Sequence, residues 1–124
     1  MKEKIFAITM ITLVITAVVF NTLKIEKEID TISDSVENIM IHSDSPKSAK
    51  EDAAKAYDLF KKKETFIGLT VNHSDLADIE ESFSEMIGYL SIEDPDNAEV
   101  TRNRLLDALS HLRRLSGLNI DAII

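Results

Sequence analysis

Residues 5–23 read IFAITMITLVITAVVFNTL, nineteen positions without a charge between Lys4 and Lys24. Lipid gives an open backbone no hydrogen-bond partners, so such a segment crosses a bilayer only as a helix. At 1.5 Å per residue it is about 28 Å long, close to the hydrocarbon thickness of about 30 Å. This reading divides the chain into a short tail (residues 1–4), a transmembrane anchor (residues 5–23) and a soluble helical domain (residues 24–124). A cleaved secretory signal carries an apolar run of about 7–15 residues. Here the run is longer, and the best cleavage candidate, Ile15-Thr16-Ala17, lies inside it. An uncleaved signal anchor in a cell membrane, crossing once, is therefore expected.

Orientation is not decided by basic residues, because Lys2 and Lys4 on one side are matched by Lys24 and Lys27 on the other. A four-residue tail is the ordinary cytoplasmic end of a signal anchor, and an acidic domain translocates readily. The soluble domain is accordingly expected outside the cytoplasm.

Outside the tail and anchor the chain keeps 12 basic and 21 acidic side chains, a net charge of −9. An acidic surface repels phosphate backbones, which argues against nucleic acid as a partner. The chain has no cysteine, so disulfides, thiolate zinc sites and thiol nucleophiles are excluded. Three glycines, Gly68, Gly88 and Gly117, are too far apart to build a phosphate-cradling loop. No cofactor is expected.

No Gly or Pro interrupts residues 5–45, so the anchor helix can leave the bilayer unbroken. Beyond Lys24 the apolar residues Ile25, Ile29, Ile32, Val36 and Ile39 follow a 4-3-4-3 spacing, one narrow helical stripe. β-Branched residues at every stripe position also suit a coiled-coil seam, hence a homo-oligomer, but a stripe under three heptads more readily packs on the chain's own later helices. Ser45-Pro46 supplies an N-cap and a first-turn proline for a second helix. Its inner face is Ala49, Ala53, Ala56, Phe60 and Ile67, with Tyr57 beside it. After an interruption at residues 68–74, where Asn72 and Asp75 resemble a capping box, a third helix presents Leu76, Ile79, Phe83, Met86 and Leu90. Asp94-Pro95 is the next cap, in competition with Asp96 and Glu99. A fourth helix presents Leu105, Ala108, Leu109, Leu112 and Leu115, with Arg113 and Arg114 in its last turn and Gly117 just past its end. The pattern predicts an all-α protein: an N-terminal transmembrane helix leading into a four-helix antiparallel bundle or paired helical hairpins.

The runs FIGLTVNHSDLADIEES (66–82), LLDALSHL (105–112) and LNIDAII (118–124), with the N-terminal span and the chain length, resemble small bacterial membrane-anchored helical proteins of the domain-of-unknown-function family numbered 4363. That resemblance covers most of the chain. It implies an anchored all-helical protein and carries no activity. This chain departs from the family pattern in offering Tyr57, Phe60 or Phe66 where a Trp is common, and Asn72 where Asp usually precedes the motif histidine.

Two chemistries compete with a purely structural reading. In a hairpin turning near Asp94, His111 falls opposite residue 77, within about one turn of His73 and near Asp75 and Asp78. Two imidazoles and two carboxylates are a donor set for zinc, hence a metal-dependent enzyme, although the same groups equally close the end of a bundle by hydrogen bonding. Asn72-His73-Ser74-Asp75 lacks an oxyanion donor, and adjacent residues seldom converge for triad chemistry. The basic residues are more telling. In an up-down bundle Lys61, Lys62 and Lys63 return to the level of Lys24 and Lys27, as do Arg113 and Arg114. A basic end toward lipid would help set the domain's tilt, at about 1 kcal/mol per residue near an anionic surface, although Glu26, Glu28 and Glu64 dilute it. The expected function is a non-enzymatic interaction module at the membrane surface, with lipid and another membrane or envelope protein as partners.

Overall fold

The computed structural model describes residues 1–42, 44–68 and 73–123, with side chains to residue 115. Four helices carry the described chain: α1 (Lys2–Glu37), α2 (Pro46–Gly68), α3 (His73–Ser91) and α4 (Pro95–Ile123). The α1 helix is continuous from the apolar segment into the bundle, 36 residues in one rod. Its two halves meet different surroundings. Phe6, Leu13 and Phe20 are 67 %, 59 % and 69 % exposed, whereas Ile25, Ile29, Ile32 and Val36 are completely buried. The stripe read from the sequence is thus used inside the chain.

Each helix packs on two others. α1 lies against α2 and α4, α3 lies against the same two, and the diagonal pairs do not approach. Ion pairs give the directions. Lys63 on α2 meets Glu28 on α1 at 3.3 Å, Arg104 on α4 meets Glu85 on α3, and Arg113 Nε donates to Asp30 Oδ1 on α1 at 2.8 Å. The arrangement is an up-down antiparallel bundle, not two separate hairpins.

At the centre of the core Phe60 stacks on Phe83 with centroids 5.5 Å apart, and Tyr57 meets the same ring edge-on at 5.5 Å. Ala49, Ala53 and Ala56 line the same side of α2 and are buried, as are Leu105, Leu109 and Leu112 on α4. Ala98 and Ile41 extend this core to the end farthest from the apolar segment, which we call the distal end. Two buried side chains there and midway, Thr101 and Ser82, have no counterpart in the apolar pattern. Thr101 resolves its hydroxyl by donating to the Asn97 carbonyl one turn back, at 2.9 Å.

Local chemistry sets the helix ends. The Ser45 Oγ accepts from the Ser48 N–H at 3.4 Å, and Pro46 takes the first helical position of α2. Of the two caps competing at α4, Asp94 is used: its Oδ1 accepts from the Asn97 N–H at 3.3 Å and its Oδ2 from the Asn97 side chain at 2.6 Å. α3 closes with a Schellman arrangement, Asp94 N–H to the Tyr89 carbonyl at 2.9 Å and Glu93 N–H to the Leu90 carbonyl at 3.2 Å. That places Glu93 in the left-handed region, φ 56°, where a side chain is disfavoured. Glu93→Gly is expected to raise stability by roughly 0.5–1 kcal/mol, read as a higher urea midpoint. The opposite change applies at Gly88, exposed within α3, where an added Cβ meets nothing within 4 Å. Gly88→Ala should stabilise by about 0.5–1 kcal/mol through helix propensity, again read in urea.

One end differs from the sequence reading. α4 continues through Gly117 to Ile123, so Arg113 and Arg114 stand in its interior and Gly117 does not terminate it. A single interior glycine costs only about 1 kcal/mol against alanine, less than is needed to end a helix that is already propagating. The Asn72–Asp75 capping box and the packing of the residue 118–124 tail lie outside the described residues and side chains.

Candidate functional site

The α3–α4 interface opens into a cleft of about 460 Å³ lined by Asp75, Asp78, Glu81, Glu85 and Asp107, with Arg104 and His111. It arises because the polar flanks of two amphipathic helices face each other beside their apolar seam. The hairpin argument places His111 across from Asp75 and Asp78, and all three do share this cleft. His73, the first residue of α3, is exposed and is not among the lining residues. Among the described residues no three His, Asp or Glu side chains converge closely enough to hold a metal ion. What the cleft offers chemically is a negative surface with one guanidinium engaged on Glu85.

The seven basic residues expected at the membrane-proximal end lie on the half of the bundle nearest the apolar segment, and three of them, Lys61, Lys63 and Arg113, carry acidic partners among the described residues. Lys61 bridges Glu64 at 2.9 Å and Glu80 at 3.1 Å. Lys63 holds Glu28, and Arg113 sits between Asp30 and Glu26, the latter at 3.9 Å. Lys24 lies 5.0 Å above the Phe66 ring, a cation–π contact that fixes the end of α2 on α1. For Lys27, Lys62 and Arg114 no ion pair occurs among the described residues. The three acids noted as diluting the patch, Glu26, Glu28 and Glu64, are therefore the very partners of its cations.

No family model matches the chain, and comparisons with curated proteins and with solved structures return no match.

The distal end is tied by contacts that the sequence pattern does not announce. His42 Nε2 lies 2.6 Å from Glu99 Oε2, joining the α1–α2 connection to α4. Arg102 Nη1 donates to the Ile39 carbonyl at 2.7 Å, satisfying an acceptor just past the end of α1. Both follow once α4 is known to run back along α1, which sets 99–102 against 39–42. The only signal for them was that antiparallel register.

Two carboxyls sit below their ordinary range. Glu80 is held down by hydrogen bonds from Lys61 and Tyr57, both 3.1 Å, and Glu99 by the bond to His42. Their contribution is complete above the unfolded value near 4.5 and is lost as pH falls through the lower folded value. On the basic side Tyr57, raised by burial and by Glu80, and Lys61, raised by hydrogen bonds to Glu64 and Glu80, contribute below about pH 10 and lose that contribution as pH rises through their folded values. The urea midpoint is thus expected to fall between pH 6 and pH 3. Glu80→Gln, with one such carboxyl removed, should show a shallower acid limb, and an unchanged limb would count against this assignment.

Proposed function

We propose that the chain is a single-pass membrane protein whose helical bundle serves, without catalysis, as an interaction module for another membrane or envelope protein. The observation that carries the reading is the state of the apolar half of α1. That segment projects beyond the bundle with large apolar side chains exposed along its length, and only 6 % of its most apolar window is buried. Soluble monomers rarely expose an apolar surface of this extent to water. Its polar groups are also suited to lipid: Thr9, Thr12 and Thr16 donate their hydroxyls to carbonyls four residues back, each at 2.8 Å. In a medium without hydrogen-bond partners those internal bonds remove the penalty of burying a hydroxyl.

The bundle belongs, on this reading, outside the cytoplasm, where its acidic surface meets no barrier to translocation. Its Ile25–Ile39 seam is spent on the chain's own core, so a homo-oligomer zipped along that stripe would require the bundle to open.

Cross-linking of the full chain in its native membranes tests the module. A reproducible protein partner is expected. Recovery of lipid alone, or of the chain alone, would overturn it. Stoichiometric zinc retained by the purified full chain and lost in both His73→Ala and His111→Ala would replace it with the metal-enzyme reading.

A further inference from the structure

Among the described residues, three large apolar side chains outside the N-terminal segment are exposed: Met40 (69 %), Ile92 (70 %) and Val100 (67 %). All three belong to the distal end. Met40 lies in the α1–α2 connection, Ile92 in the α3–α4 turn and Val100 in the second turn of α4. The two connections meet there around a cavity of about 190 Å³ with Ile41, Pro46, Leu90 and Pro95 among its walls. Glu93 and Asp94 stand at the same cavity, and Glu37, Asp44, Asp96 and Glu99 belong to the neighbouring connections and helix turns. Against these six acids stand Lys47, Arg102 and His42; His42 lines the cavity and engages Glu99, and Arg102 is turned inward onto the Ile39 carbonyl, its Nε buried without a partner.

This combination does not occur in the α3–α4 cleft, which is acidic but has no exposed large apolar side chain. Met40, Ile92 and Val100 do not line the cavity, but they share one end of the bundle with it and with an excess of acids, and that end complements a segment of opposite charge with an apolar tip. The acids supply steering and orientation, and the apolar contact supplies affinity. Glu93 fits this use: it holds a carboxylate at the cavity in a backbone conformation that a glycine would adopt more easily.

We propose that the distal end docks a basic, apolar-tipped segment of a partner protein, one in which Lys or Arg residues flank a large apolar side chain. The proposal rests on the interaction-module reading and names its surface. In that reading the surface stands about 20 Å above the bilayer, the rise of α1 from Lys24 to Glu37.

The test uses the full chain in phosphatidylcholine nanodiscs, titrated with the pentapeptide Lys-Lys-Phe-Lys-Lys and its glutamate counterpart, with backbone amide NMR as the readout. Saturable shifts confined to residues 39–42 and 90–100 are expected for the basic peptide alone. They should weaken at least tenfold in Met40→Ser/Ile92→Ser, whose exposed positions leave helix content unchanged. Shifts centred on Asp78, Glu81 and Asp107, equal binding of the glutamate peptide, or indifference to the serine pair would each overturn it. A partner recovered from native membranes through another face would sink this surface while leaving the module reading in place.

Discussion

Phe83→Ala is expected to lower the stability of the bundle by about 3–5 kcal/mol, the range for emptying a fully buried aromatic site. Phe83 is completely buried and touches both the Phe60 and Tyr57 rings, so its removal opens a cavity where α2 and α3 meet. The surrounding positions resist collapse. Ala53 and Ala56 on the adjoining helix have no side chain long enough to fill the gap, and Ile79 and Met86 flank it on α3 itself. A domain of this size has roughly 5–15 kcal/mol in total, so the variant loses a large share of it. Urea unfolding of the full chain in detergent, followed by tyrosine fluorescence, reads the change directly because the chain has no Trp. Phe83→Leu, which keeps most of the volume, should recover the greater part. A loss below about 1 kcal/mol for the alanine variant would place the core elsewhere.

The second large effect concerns the apolar half of α1. Ile11→Lys/Val14→Lys puts two ammonium groups near the middle of residues 5–23. Each lysine at a helix centre costs about 2.5–3.5 kcal/mol on insertion scales. Each apolar residue there contributes only a few tenths of a kcal/mol on the same scales, so two charges offset most of what a segment of this composition would gain on insertion. The double variant is expected to move from the carbonate-resistant membrane fraction to the extractable one, while the wild-type chain stays with the membrane. Ile11→Leu/Val14→Leu, of equal helical tolerance, should stay too. Continued resistance of the lysine pair would show that something other than this segment holds the chain.

Much of the fold was legible because it is local and periodic. The stripe from Ile25 to Ile39 keeps helical spacing for four turns, and every member of it is buried. Ser45-Pro46 and Asp94-Pro95 marked two helix starts because a cap acts on an amide three residues away. Gly117 misled for the same local reason: glycine favours helix ends, but it does not impose one where the next turns remain helical. The choice between hairpins and a closed bundle depends on α1 meeting α4, and no local pattern encodes that contact.

The candidate sites divide in the same way. His111 could be set beside Asp75 and Asp78 because one short turn fixes the α3–α4 register. His73 drops out because it lies two residues from Asp75, about 200° round the helix from the face that lines the cleft. The levels of Lys61, Lys63 and Arg113 follow from helix lengths, but their partners depend on facing side chains across the bundle. His42 with Glu99, and Arg102 with the Ile39 carbonyl, span 57 and 63 residues of chain and needed the closed fold to be seen.

The absence of cysteine makes the decisive measurement clean, since every thiol introduced is the only one present. Single cysteines placed in turn from residue 5 to residue 40 of the full chain, in native membranes, are treated with a membrane-impermeant maleimide. Residues 5–23 should stay unlabelled on all faces of the helix. Beyond residue 24, labelling should alternate with the helical period, present at Asp30 and Asp34 and absent at Ile29 and Ile32. Labelling at Phe6, Leu13 and Phe20 as strong as at Asp34 would mean that this half of α1 sits in water, and the account of an anchored bundle would not stand.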